Sequence, residues 1–345
     1  TAIYCTACSN NNRASGPRHP PQHQETRLFK TLTAAAVLLL ASSSLALAAN
    51  DKPLTIVVPT AAGGGNDAMA RTIGQKLALV LNQTVIIENK AGANGAIAAE
   101  MVARAAPDGN TLMFGYVATH AMNPALQKLR YDPITSFEPV GRVGYSPTLM
   151  VMNTSVKAKD VKELVALMKA TPEKFSIASA GNGTAPHFAA ELFKLATQTN
   201  PLHVPYKGAA PGITDTIGGQ TQLMFPSLFT ALPYVKSDKL KALAIAGPKR
   251  SPLLPNVPTL KELGIEGVEV DQWYAFFAPA KTPKDVVAKL NAALNQVLAD
   301  KETIARIEGH GADVESSTPE QLAELVKSDL ARWKRVVQQA KLQAD

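Results

Sequence analysis

The sequence predicts an α/β fold of two lobes, and three observations lead to that prediction. Predicted strands alternate with amphipathic helices between Leu54 and Gly115, which is typical of a parallel sheet with helices on both faces. A second strand, loop and helix follow between Phe175 and Leu195. Two long extended hydrophobic runs, at 137–153 and 268–279, are interpreted as strands that cross between the lobes. The two lobes would then enclose a ligand cleft.

The two crossings set the expected domain boundaries. Residues 1–49 are expected to contain upstream sequence and a secretory signal. The first lobe is expected at 50–152 together with 269–345, and the second lobe at 153–268. The helices near the C-terminus carry apolar residues at helical spacing, so we expect them to pack on the first lobe.

The N-terminal segment has the composition of an export signal. Residues 1–29 show no apolar periodicity, and we interpret them as sequence upstream of the signal. Arg27 and Lys30 then precede a short apolar run that contains serines and ends in Ala46-Leu47-Ala48. This order is typical of a secretory signal peptide, so we expect cleavage near Ala48 and a periplasmic location. The run is too short for a membrane-spanning helix, which needs about 20 apolar residues.

Composition argues against several kinds of partner. The chain has 35 basic and 28 acidic residues, but the basic residues form no block and aromatic residues make up only 6%. Proteins that bind nucleic acids usually show a clustered basic stripe with interleaved aromatic residues, so we expect no nucleic-acid partner. Both cysteines, Cys5 and Cys8, precede the expected cleavage site. We therefore expect no disulfide in the exported chain.

The first strand and helix are joined by a glycine-rich loop, Pro59 to Asp67, which we call the first glycine loop. Three successive glycines, Gly63 to Gly65, let the backbone approach a ligand closely, and the first N–H groups of the helix have no partner within it. An anion can bind there without a charged side chain. The loop lacks both the Gly-Lys-Ser/Thr of nucleotide hydrolases and the spaced glycines of dinucleotide-binding folds.

A loop of similar design, Ser179 to His187, joins a strand to a helix in the other half of the chain. We call it the second glycine loop. Thr184 suits the N-cap position of the helix, and Pro186 is tolerated in its first turn. Two such loops facing each other across a cleft would hold both ends of a dianion, or a carboxylate and its polar tail.

Two further positions join the candidate site. Thr119 and His120 follow the third strand, so we expect them at the carboxyl edge of the sheet, where open α/β sheets bind ligands. Asp67 has an alternative role as a cap of its own helix. The full set of candidate ligand contacts is Ala62, Gly63, Gly64, Gly65, Asn66, Asp67, Thr119, His120, Ala180, Gly183, Thr184, His187 and Tyr206.

The sequence lacks the usual signatures of catalysis. It contains no Gly-x-Ser-x-Gly elbow of an α/β hydrolase. Four histidines follow the predicted signal, and no two of them stand at the spacing of metal ligands. Asp67 and Asp215 are candidate carboxylates, but nothing in the sequence pairs them. We therefore expect a binding protein with no metal, no cofactor and no catalytic residue.

Five motifs occur in order along nearly the whole exported chain. They are VPTAAGGGNDAMAR at 58–71, ENKAGANGA at 88–96, APDG at 106–109, AGNGTAPH at 180–187 and HVPYKG at 203–208. Together they resemble the Bug-type substrate-binding receptors of tripartite tricarboxylate transporters. The resemblance implies a periplasmic-binding-protein fold, type II-like, that closes over a small carboxylate held by backbone N–H groups and ordered water. It also implies delivery of that ligand to a permease with a large and a small integral membrane subunit.

The ligand is expected to be a mono- or dicarboxylate, with aromatic acids among the candidates, and the receptor a monomer. Two alternatives remain open. A periplasmic sensor would pass the signal of a bound carboxylate to a two-component kinase. A two-lobed periplasmic enzyme would use His120 or His187 as a base on a bound acid.

Two positions depart from the pattern of that family. Thr60 stands where a phenylalanine usually follows the proline, and Pro226 stands where an aspartate is usual. We expect the first change to widen or re-polarise the pocket wall. The second removes a carboxylate that could meet a ligand amine, so we expect no amino-acid ligand.

Overall fold

The structure is a computed structural model that describes residues 52–343. The predicted upstream sequence and signal peptide therefore lie outside the described residues. Within the described range, none of the helices has the length and the apolar character that a bilayer crossing requires.

Strands and helices alternate along most of the described chain. In chain order the elements are β1 (Leu54–Val58), α1 (Gly65–Leu81), β2 (Val85–Asn89), α2 (Ala96–Ala103), β3 (Thr111–Tyr116), α3 (Asn123–Leu126), β4 (Phe137–Asn153), α4 (Val161–Ala170), β5 (Ser176–Ser179), α5 (Ala185–Thr197), β6 (Leu202–Pro205), α6 (Ala209–Ile217), β7 (Leu223–Met224), α7 (Leu228–Lys236), β8 (Leu240–Ala246), β9 (Asp271–Pro279), α8 (Lys284–Leu298), α9 (Lys301–Glu308), β10 (Asp313–Val314) and α10 (Pro319–Ala340).

Lobe 1 is built on a mixed sheet in the order β2-β1-β3-β9-β4. Strands β1, β2 and β3 are parallel, and β9 runs antiparallel to both β3 and β4. Helix α1 covers this sheet with Met69, Ile73 and Leu77, which are at most 2% exposed. Their spacing of four residues places them on one face of the helix, as the sequence predicts.

Lobe 2 repeats this arrangement on a smaller scale. Its parallel strands β5, β6 and β7 lie next to the C-terminal half of β4, which runs antiparallel to β7 and β8. Helix α5 packs against this sheet through Phe188 and Phe193, which are fully buried. The alternating design of the sequence thus produces two α/β layers, one in each lobe.

Strand β4 belongs to both sheets. Residues 137–147 pair with β9, and residues 148–153 pair with β8. Asp271, the first residue of β9, lies opposite Pro147, so the chain returns to lobe 1 beside the point where β4 leaves it. Two adjacent strands therefore connect the lobes, and the glycine loops project from the carboxyl ends of parallel strands on either side.

The C-terminal helix α10 fixes the position of the second connecting strand. The indole N–H of Trp273 in β9 donates a hydrogen bond of 2.8 Å to the carboxylate of Asp329 in α10. Trp333, one turn further along α10, is buried and meets Phe188 of lobe 2 edge to face at a ring distance of 5.1 Å. Helix α10 thus packs on lobe 1, as predicted, and also contacts lobe 2.

We predict that Asp329→Ala lowers the free energy of unfolding by about 2 kcal/mol, because it leaves the buried Trp273 indole without an acceptor. Urea unfolding followed by tryptophan fluorescence measures the change. The matched control is Glu324→Ala, an exposed position on the same helix. Equal stability of the two variants would show that the hydrogen bond contributes nothing.

Candidate functional site

The two lobes meet so closely at the glycine loops that two positions have no room for a side chain. A Cβ on Gly65, at the start of α1, would overlap the hydroxyl of Thr230 in lobe 2. A Cβ on Gly181, in the second glycine loop, would overlap the side-chain oxygen of Asn94 in lobe 1. Gly181 also has a φ of +115°, which side chains disfavour. Both glycines therefore permit a closed arrangement of the lobes.

Between the closed lobes lies a narrow cleft, made of two small cavities of about 30 and 60 Å³. Its walls come from both lobes and from the connecting strand β9. The first cavity is lined by Thr60, Ala61, Gly64, Gly65, Asn66, Tyr116, Ala180, Thr184, Pro186, Gly208, Ala209, Ala210, Ser227, Thr230 and Gln272. The second is lined by Pro59, Thr60, Gly92, Ala93, Asn94, Gly95, Tyr116, Ala180, Tyr206, Lys207 and Gly208. No charged side chain is among the described residues that line the first cavity.

Three helices begin at the cleft without a side-chain cap. Helix α1 starts after Gly64, α5 after Thr184 and α6 after Gly208, and no side-chain cap bonds their first N–H groups. These N–H groups lack partners inside the helix, and the helix dipole makes its N-terminus positive. The cleft therefore attracts anions through backbone groups of both lobes.

Asp67 bonds to the loop before its helix and forms no side-chain cap of the helix itself. Its carboxylate accepts a 2.9 Å hydrogen bond from the N–H of Gly63 and lies 3.0 Å from the guanidinium of Arg71. Burial opposes ionisation, but the bonds from Arg71 and Gly63 outweigh it, so the pKa of Asp67 is lowered. Asp67 braces the first glycine loop and does not line the cleft cavities.

Thr119 and His120 lie beneath the cleft rather than in it. Residues 118–122 form a wide helical turn directly after β3, and this turn folds both side chains into the core, where their exposure is 0%. The His120 ring stacks on Phe277 at a centroid distance of 3.7 Å, and Thr119 hydrogen-bonds the backbone of Tyr116. Burial lowers the pKa of His120 to about 3. Both side chains pack in the core and line neither cleft cavity in this arrangement, and their contact with a ligand stays a prediction.

His187 supports the second glycine loop from behind. Its Nδ1 accepts a 3.2 Å hydrogen bond from the N–H of Gly183, and its ring lies 4.7 Å from that of His203 on β6. The Nε2 of His203 is 2.7 Å from the hydroxyl of Ser179, which accepts a bond from the N–H of Gly181. The two histidines thus hold backbone groups of the loop that precedes α5.

The same two histidines and Glu191 form a cluster whose potential metal-ligating atoms lie within 4.8 Å of one another. The spacing of these residues in the sequence did not reveal the cluster, because His187 and His203 lie on different elements. The hydrogen bond from Gly183 makes Nδ1 of His187 an acceptor, so a neutral ring carries its proton on Nε2. A protonated nitrogen cannot bind a metal. The donor set therefore suits hydrogen bonding to the loop better than metal coordination.

Tyr206 forms part of the cleft wall in lobe 2. Its hydroxyl donates a 2.7 Å hydrogen bond to Asp215 of α6. Burial and this bond raise the pKa of Tyr206 to about 12. The bond connects the wall to the helix whose N-terminus also faces the cleft.

Most of the described chain matches one protein family. The model of the family described as "Tripartite tricarboxylate transporter family receptor" matches residues 69–342. The chain belongs to this family. Protein BugT of Bordetella pertussis is 32% identical to this receptor over 278 residues, which are 80% of this chain and 85% of BugT.

Solved structures of similar proteins confirm the two-lobed periplasmic-binding-protein fold of the receptor. The periplasmic binding protein BugD is 37% identical, with a TM-score of 0.82 over 84% of this chain and 98% of its own. MatC from Rhodopseudomonas palustris with bound malate is 36% identical, with a TM-score of 0.80 over 83% and 98%. A second R. palustris protein, solved with adipate, is 31% identical, with a TM-score of 0.82 over 84% and 98%.

The predicted contacts of the receptor divide into two groups. The cleft cavities are lined by Gly64, Gly65, Asn66, Ala180, Thr184 and Tyr206. The residues outside the cavity walls are Ala62, Gly63, Asp67, Thr119, His120, Gly183 and His187. Thr60 lines both cavities, and Pro226 is buried with its carbonyl bonded to the N–H of Leu149.

Sequence reasoning missed the third helix start and the residues that close the cleft from lobe 2. Gly208 directly precedes α6, so a glycine before a predicted helix was the available signal. Ser227 and Thr230 lie at the start of α7, and Gln272 lies on β9. No sequence pattern identifies these three, because their approach to the cleft depends on how the lobes pack.

His120 predicts a specific acid sensitivity of the receptor. Its pKa in the folded state is depressed below the ordinary 6.5, so its neutral ring stabilises the fold above pH 6.5, and this stability is lost as the pH falls toward 3. We predict that, as the pH falls from about 7.5 to about 5, the free energy of unfolding of His120→Phe rises by about 2 kcal/mol relative to that of the wild type. Urea unfolding at both pH values measures it, with the exposed His310→Gln as control. A pH-independent difference between His120→Phe and the wild type would refute this assignment.

Proposed function

We propose that the receptor captures a small organic carboxylate between its lobes and delivers it to integral membrane permease subunits of a tripartite tricarboxylate-type transporter. The observation that carries this proposal is the presence of uncapped helix N-termini from both lobes at one cleft. Each N–H···carboxylate bond is charge-assisted and contributes roughly 1.5–3 kcal/mol. A few such bonds are enough for tight binding once the closed lobes exclude water.

The presence of helix starts in both lobes favours a dicarboxylate. Helix α1 offers its N–H groups from lobe 1, and α5 and α6 offer theirs from lobe 2. An acid with a carboxylate at each end can bond to both lobes at once, and its binding then stabilises the closed arrangement. Malate and adipate, with which two related structures were solved, are acids of this kind.

We also propose that the receptor acts without catalysis, as a monomer in the periplasm after cleavage of its signal near Ala48. His120 is sealed in the core with a pKa of about 3, and His187 is engaged by the second glycine loop. Neither histidine is available as a base for a ligand in the cleft. The narrow, largely uncharged cleft is suited to holding an anion and releasing it when the lobes separate.

Isothermal titration calorimetry with malate and adipate tests the ligand class. We expect saturable micromolar binding of at least one of these acids by the purified receptor. Aspartate should bind at least about 100-fold more weakly, because no acidic side chain lines the described walls of the cleft to meet its ammonium group. Tight binding of aspartate, or no binding of any dicarboxylate, would contradict the proposal.

Gly65→Ala tests whether ligand binding requires closure of the lobes. The nearest neighbours of the added methyl group are Thr230 and Phe229 of the opposite lobe, so we expect at least a tenfold loss of dicarboxylate affinity with little change in the melting temperature of the free protein. The matched control is Gly218→Ala, where a Cβ makes ordinary contacts away from the cleft. Unchanged affinity in Gly65→Ala would mean that the ligand binds without this closure.

A further inference from the structure

A wider cavity, here called the rear cavity, lies behind the strands that connect the lobes. Its volume is about 530 Å³, within the range of roughly 300–1,000 Å³ that is typical of small-molecule sites. Asp271 of β9 lines this cavity, whereas the next residue, Gln272, lines the cleft. Successive side chains of a strand point to opposite faces, so the two sites lie on opposite sides of β9.

The walls of this rear cavity come from different lobes. The loop after β8, residues 248–253, forms the lobe 2 wall, and residues 305–313, from α9 to β10, form the lobe 1 wall. The ammonium of Lys249 and the carboxylate of Asp313 face each other across the gap at 3.8 Å. An occupant of the rear cavity would therefore contact both lobes.

The rear cavity contains an unsatisfied carboxylate. Oδ1 of Asp271 is buried and has no hydrogen-bond partner among residues 52–343. Burial raises the pKa of Asp271 to about 6, so the carboxyl group lacks the donors that would stabilise its charge. A buried polar atom without a partner is costly, and a bound cation would remove that cost.

The basic residues of the rear cavity are already engaged. Arg250 donates from Nε to both carboxylate oxygens of Glu262, at 3.1 and 2.9 Å, and from Nη1 to the carbonyl of Pro255. Lys249 pairs with Asp313. Glu308 also lines the cavity and forms no ion pair with any residue that the structure describes. The carboxylates of Asp271 and Glu308 therefore remain without an ion pair among residues 52–343, and the charges of Arg332 and Lys249 offset the burial of Asp271 only in part.

The remaining walls are apolar and aromatic. Pro147, Pro252 and Leu253 line the cavity together with the ring of Tyr145. The hydroxyl of Tyr145 is hydrogen-bonded to Asp313, which raises the pKa of Tyr145 to about 12. Its ring provides a surface on which a cation or a second ring can pack.

We propose that the rear cavity binds a small organic cation, an ammonium or guanidinium group on an apolar body, with the charged group on Asp271. This chemistry is opposite to that of the anion-binding cleft. The charge of the occupant balances that of the Asp271 carboxylate, and its apolar part covers the proline and leucine wall.

Benzylammonium chloride is the probe, and benzyl alcohol is its neutral counterpart of similar shape. Calorimetric titration of the full-length receptor without any acid should show saturable binding of benzylammonium and at least tenfold weaker binding of benzyl alcohol. Asp271→Asn should weaken benzylammonium binding at least tenfold. Glu266→Gln, an exposed carboxylate outside the cavity, should leave it unchanged.

A second variant provides an independent test in case Asp271→Asn does not fold. Leu253→Trp fills the cavity from the lobe 2 wall and should also abolish benzylammonium binding, with thermal unfolding as the check on folding. The proposal is overturned if benzylammonium shows no saturable binding, or if both variants bind it as the wild type does. Because no acid is present, this outcome is independent of the proposed function.

The position of the rear cavity also implies coupling to the cleft, and this part rests on the proposed function. Its walls belong to the two lobes that approach each other when the cleft closes. Both ligands therefore affect the same equilibrium between open and closed arrangements. Saturating malate should change the affinity for benzylammonium at least threefold, and saturating benzylammonium should change the affinity for malate by the same factor. Equal benzylammonium affinity with and without malate would overturn the coupling alone.

Discussion

The structure depends on the placement of uncapped helix N-termini from two lobes at one cleft. A helix start that lacks a cap leaves backbone N–H groups without partners, and this is costly unless water or a ligand bonds to them. The receptor has such starts at α1, α5 and α6. Most other features of the site support this placement: Asp67 braces the first glycine loop, and His187 and His203 brace the second.

Glycine at the contact between the lobes determines how closely these helix starts approach. Gly65 and Gly181 occupy positions where a Cβ would overlap an atom of the opposite lobe. The lobes can therefore close because these two residues have no side chain. The rear cavity lies on the other side of the same connecting strands and is lined by residues of both lobes. One pair of strands thus separates the narrow anion-binding cleft from the wider rear cavity, for which we propose a cation.

Local patterns in the sequence predicted much of the fold. The run at 137–153 coincides with β4, and the two glycine loops lie where the alternating strands and helices placed them. The sequence could not predict the burial of His120, because the wide turn after β3 directs its side chain into the core. It also missed Thr230 and Gln272, since their approach to the cleft is set by packing between lobes.

The central claim is tested most directly by nuclear magnetic resonance of the ¹⁵N-labelled receptor during a titration with malate. When a backbone N–H group donates a hydrogen bond to a carboxylate, its amide proton resonance shifts strongly downfield. The account predicts such shifts for the amides of Gly65 and Asn66 at the start of α1 and, in the same titration, for that of Ala185 at the start of α5. Shifts confined to one lobe, or to side chains alone, would contradict it.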